Sequence, residues 1–100
     1  MKNCKITAIR KACYKDLIEK YENPLENPCQ INEGDVFITD GLNMPKGFCE
    51  SAWMSIYPFV MTLSCDGEGI FGCWMKDKRS ALVSCNDGFR PVSFLIEPID

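Results

Sequence analysis

Apolar and polar residues alternate with period two at the start of the chain, and short β-branched and aromatic runs recur further along. From Cys4 to Lys11, Cys4, Ile6 and Ala8 fall on one side and Lys5, Thr7, Ile9 and Lys11 on the other. That predicts a strand with one core face and one solvent face, Ile9 being the exception. Val36–Thr39 is a shorter run, opened by Gly34-Asp35 and closed by Asp40-Gly41. Near the C-terminus, Ala81–Cys85 and Val92–Glu97 are β-branched and aromatic runs with Asn86-Asp87-Gly88 between them. Asp-Gly accepts positive φ, so the pair reads as a β-hairpin, with Val83 and Cys85 on one face and Val92, Phe94 and Ile96 on one face.

Helical spacing occupies the gaps. Tyr14, Leu17, Ile18 and Tyr21 form a stripe that ends at Asn23-Pro24, because a residue before proline is pushed out of the α region. A second helix is expected from near Glu50, with Trp53, Ile56, Tyr57, Val60 and Ser64 on one stripe and Met61 and Leu63 flanking it. Pro58 lies inside it and predicts a kink or two short helices. Loops are expected at Asn23–Glu33, which carries Cys29, at Gly41–Gly47, and at the glycine-bearing segment Cys65–Lys78.

This order predicts an α+β fold: a small, mostly antiparallel sheet of about four strands, with two helices on one face and a C-terminal β-hairpin. A curled, barrel-like sheet is the alternative. The first and last strands are expected to be neighbours. One hundred residues make a single domain, 1–100, with one core.

Composition changes this picture little. The chain is 46% hydrophobic and 25% charged, ordinary for a globular domain. Lys2, Lys5, Arg10, Lys11, Lys15 and Lys20 give the N-terminal part a basic bias, best explained as a solvated surface. The net charge is −3 and no basic stripe interleaves with aromatics, so nucleic acid is not an expected partner. The longest apolar stretch, Ile56–Leu63, is too short to span a bilayer, and the first residues lack the apolar region of a signal peptide. A cytoplasmic protein with reduced thiols is expected.

The distinctive feature is seven cysteines without a histidine. An odd number does not complete a disulfide framework, and no histidine-dependent triad can be built. No nucleophile–base pair stands out, so an enzyme of small-molecule chemistry is the least supported class.

Lys2–Thr7 (KNCKIT), Pro28-Cys29, Glu33–Ile38 (EGDVFI), Met44–Cys49 (MPKGFC), Ala52-Trp53 and Cys85–Glu97 (CNDGFRPVSFLIE) together resemble a family of small bacterial and archaeal proteins of uncharacterised function. The resemblance spans nearly the whole chain. It implies kinship and brings no activity with it. It also implies that Cys4, Cys29, Cys49 and Cys85 belong to a shared pattern and that Cys13, Cys65 and Cys73 are peculiar to this chain. Pro58 departs from the family's uninterrupted second helix.

Four thiolates can hold zinc, iron or an iron–sulfur cluster, and Cys4, Cys29, Cys49 and Cys85 supply that number. Their gaps of 25, 20 and 36 residues contain no CxxC knuckle, which argues against a metal centre. Thiol redox chemistry is the variant. Cys49, just before the second helix, is its candidate nucleophile, since a helix N-terminus stabilises a thiolate, and Cys29 is its candidate resolving partner. The plainer alternative is that the cysteines pack as small hydrophobes in a homodimeric or protein-binding domain. Such a domain would present Phe71, Trp74 and Met75, with Arg90 as a carboxylate- or phosphate-binding fork or as the partner of Asp87 at the hairpin tip.

Overall fold

A computed structural model describes residues 1–100. The elements run β1 (Asn3–Lys11), α1 (Lys15–Tyr21), β2 (Val36–Thr39), α2 (Glu50–Ser64), β3 (Ala81–Ser84) and β4 (Val92–Ile99). The strands form one antiparallel sheet in the order β2-β1-β4-β3, open at both edges and not closed into a barrel. The first and last strands are the central pair, as expected, and β3 and β4 form the C-terminal hairpin.

Period-two alternation sets the core. Cys4, Ile6, Ala8, Ala81, Val92, Phe94 and Ile96 are all buried on the face that α2 covers. The register places Ile6 opposite Ile96 and Ala8 opposite Phe94. Ile9, the apolar residue on the solvent side, is exposed there, and a β-bulge interrupts the register between Ala8 and Arg10. The β1–β4 ladder continues beyond both strands, through Ala12 N–H to Pro91 C=O and Tyr14 N–H to Phe89 C=O (both 2.9 Å).

Three local expectations are corrected. The α2 residues in the core are Ala52, Ile56, Val60, Leu63 and Ser64, so the stripe is rotated and Trp53 and Tyr57 lie at its half-buried margin. The helix also runs unbroken through Pro58. The proline is on the solvent side, as is Met54, so the Met54 carbonyl that loses its helical donor can be hydrated. Finally, α1 forms where the stripe predicts it but buries none of its residues and packs on no other element. Tyr14, Leu17 and Tyr21 remain exposed.

The hairpin connection is wider than an Asp-Gly turn. Seven residues, Cys85–Pro91, separate the strands, and neither Asp87 nor Gly88 adopts positive φ. Cys85 N–H bonds Val92 C=O (3.1 Å) to close the ladder, and Asp87 Oδ1 accepts the Phe89 and Arg90 N–H groups (2.7 and 3.2 Å). This wide loop and the segment before β2 frame the candidate site.

Candidate functional site

Three cysteines far apart in sequence meet at one cavity. Cys29 comes from the loop before β2, Cys49 from the residue preceding α2, and Cys85 from the end of β3. The cavity has a volume of about 430 Å³ and is floored by Ile31, Ala52, Val92 and Phe94. Asn86, Asp87 and Arg90 of the hairpin loop and Ser51 of α2 supply its polar wall. A second cavity of about 300 Å³ shares Asn27, Cys29, Ile31 and Cys49 with the first and continues along Pro28, Gln30, Gly47 and Phe48. Cys29 and Cys49 therefore border both cavities, and Cys85 lines only the larger one.

Each cysteine's segment is held by definable contacts. Lys11, at the end of β1, donates from Nζ to the Cys29 carbonyl (2.9 Å), while its backbone N–H donates to Glu33 Oε1 (2.9 Å). Both ends of the Cys29 segment are thereby tied to the sheet, and Ile31 between them is buried in the core. Cys49 is the N-cap of α2 and makes no side-chain capping bond. The first helical bond runs from Trp53 N–H to Cys49 C=O (2.9 Å), so the N–H groups of Glu50, Ser51 and Ala52 have no helical partner. Phe48 anchors this corner: its ring is buried and packs on Phe37, Phe94 and Trp53 at centroid distances of 4.9, 5.2 and 6.1 Å. The Cys85 sulfur accepts the Val92 N–H (3.3 Å).

Arg90 does not pair with Asp87. Its Nη1 meets Glu22, just beyond α1, at 2.9 Å from Oε1 and 3.1 Å from Oε2. Both side chains are largely buried, at 20% and 10% exposure. Asp87 instead holds the loop backbone through Oδ1 alone. Glu22 gives no sign of this role in the sequence, because it lies 68 positions from Arg90 and outside any helical register with it. Ile31 and Phe48 were also not singled out by the pattern, since isolated apolar residues in loops carry no periodicity.

The four-cysteine metal centre is not assembled. Cys4 lies inside the sheet–helix core, its Sγ 3.2 Å from Ser64 Oγ and 3.7 Å from the Val60 carbonyl. Burial pushes this thiol's pKa above its ordinary value, against a smaller opposite effect of the Ser64 hydrogen bond. No group of three or more cysteine, aspartate and glutamate side chains is arranged to hold a metal ion, so the donor set fits neither zinc nor a cluster. Cys13, Cys65 and Cys73 are exposed and outside the cavity.

The expected surface patch divides. Phe71 packs on Phe59 of α2 and on Trp74 (5.6 and 5.9 Å), Met75 is half-buried, and Trp74 is 82% exposed. Arg90 belongs to the thiol cavity. No helix is long and apolar enough to cross a membrane. Comparison with protein-family models, curated proteins and solved structures finds no match to this chain.

Proposed function

We propose that the protein is a cytoplasmic dithiol module, kin to the small bacterial and archaeal family it resembles, that exchanges disulfides at two cysteines bordering both cavities. The observation that carries this reading is the convergence of Cys29, Cys49 and Cys85 on one cavity from three separate segments. Cys49 is the attacking thiol, because it stands free of capping bonds at the N-terminus of a fifteen-residue helix. Cys29 shares both cavities with it and resolves the mixed disulfide that forms on Cys49. Cys4 has a packing role, and redox chemistry is favoured over metal binding because the fourth cysteine lies in the core against Ser64 and no group of three or more donors is arranged to hold an ion.

Residue-resolved alkylation of the native, reduced protein with limiting iodoacetamide tests this. Cys49 should react ahead of the exposed Cys13, Cys65 and Cys73, and Cys4 should react last, only as the protein opens. A second reading rests on the uncovered face of the sheet, where Ile9, Val36, Ile38 and Leu82 are each about half exposed. That face suits a homodimer. Reaction in order of exposure alone, with a mass that rises with concentration, would replace the first reading by the second.

A further inference from the structure

The shape and lining of the paired cavities point to a substrate class. We infer that the site takes a small peptide disulfide, laid across the two cysteines with one arm in each cavity; this rests on the dithiol reading above. Three observations carry it. Cys29 and Cys49 line both cavities, so a bond attacked there has room for a substituent on either side. The volumes, about 430 and 300 Å³, far exceed what a peroxide or a simple alkyl disulfide fills. The polar groups are of both kinds and both signs. Arg90 has guanidinium donors beyond the Nη1 held by Glu22, Asp87 keeps Oδ2 unengaged, and Asn86, Ser51 and Gln30 add amide and hydroxyl groups. Donors and acceptors in that mixture match peptide amides and the opposite charges of peptide termini.

The chemistry balances with the substrate as oxidant. The Cys49 thiolate attacks one sulfur of the disulfide; a Cys49 Sγ–S bond forms as the substrate S–S bond breaks, and the departing thiolate takes a proton from solvent. Cys29, having given its proton to solvent, then attacks Cys49 Sγ. The Cys29–Cys49 disulfide forms and the second substrate thiolate leaves and is protonated. The substrate gains two electrons and two protons and the cysteine pair loses them. A dithiol reductant restores the pair.

The test follows intact mass and peptide maps of the reduced protein mixed with oxidised glutathione, with 2-hydroxyethyl disulfide, or with a disulfide-bonded unfolded protein. Each rate is divided by that of the same oxidant with free cysteine. Oxidised glutathione should lead hydroxyethyl disulfide by about tenfold, the worth of one or two hydrogen bonds. Asn86→Ala and Asp87→Asn should each reduce that lead, the normalised rate with oxidised glutathione falling more than the rate with 2-hydroxyethyl disulfide. Equal normalised rates for the two small disulfides would overturn the peptide assignment while leaving the dithiol reading intact. A preference for the unfolded protein would overturn the small-molecule assignment. Absence of a Cys29–Cys49 disulfide with every oxidant would remove the dithiol reading itself.

Discussion

At the residue scale, identical side chains take different roles according to where the fold puts them. Cys4 and Cys49 are both thiols in the resemblance pattern, yet one is sealed against Ser64 and Val60 and the other opens on a cavity. The charged residues divide in the same way. Glu22 and Arg90 form a largely buried pair beside the cavity, whereas Asp100 anchors an exposed cluster with Lys2, Asp66 and Arg79. Asp100 Oδ1 lies 2.9 Å from Lys2 Nζ and 3.2 Å from Arg79 Nη2, and Lys2 also reaches Asp66 at 2.8 Å. Hydrogen bonds from Arg79 and then Lys2 hold the Asp100 carboxyl at about 2, below its ordinary 3.8. A depressed folded-state value stabilises the fold above the ordinary value and loses that contribution as pH falls through the folded one. Carboxyl-detected NMR titration should therefore give Asp100 a midpoint near 2, rising toward 3.8 in Arg79→Gln and in high salt. A wild-type midpoint of 3.8 would show that the cluster does not persist in solution.

At the element scale, what was legible in the sequence depended on periodicity. β1 and β4 bury one face each, so alternation marked their inward residues, whereas β2 was bounded by its flanking turn residues and β4 runs two residues past the expected Glu97. The α2 stripe was located but misrotated, because Trp53 and Tyr57 are large and apolar enough to suggest a core position that the smaller Ala52 occupies at the sheet contact. The stripe of α1 predicted a helix correctly and its burial wrongly, since amphipathic spacing says nothing about which partner covers it. The site was legible only in its parts. Cys29 and Cys49 were named as candidates with their meeting left open, and the width of the Cys85–Pro91 loop and the Glu22–Arg90 pair depend on contacts remote in sequence. One glycine gives this scale a test. Gly41, after β2, has φ of +93°, and a Cβ there would lie 2.6 Å from the Ser64 Cβ in α2. Gly41→Ala should cost about 2–4 kcal/mol in a denaturant titration, from strained backbone and overpacking together. A loss below 0.5 kcal/mol, roughly that of an ordinary surface change, would mean that the close approach of Gly41 to Ser64 is not held in solution.

At the scale of the whole molecule, one helix on one sheet face makes the core, and the cavities open where three loops gather at the rim. The sheet fixes the Cys29 segment through Lys11 and Cys85 through the Val92 ladder, and α2 fixes Cys49. Such a rim allows thiol chemistry without disturbing the core, because none of the three cysteines belongs to the fully buried set. The opposite sheet face and Trp74 remain available for association, which is a separate property of the surface. Whether Cys29 and Cys49 work as a pair is decided by disulfide mapping after equilibration in a glutathione redox buffer. One reversible Cys29–Cys49 disulfide should form while Cys4 stays reduced and the fold is retained by circular dichroism. Seven thiols that stay free, or disulfides confined to the exposed Cys13, Cys65 and Cys73, would contradict it.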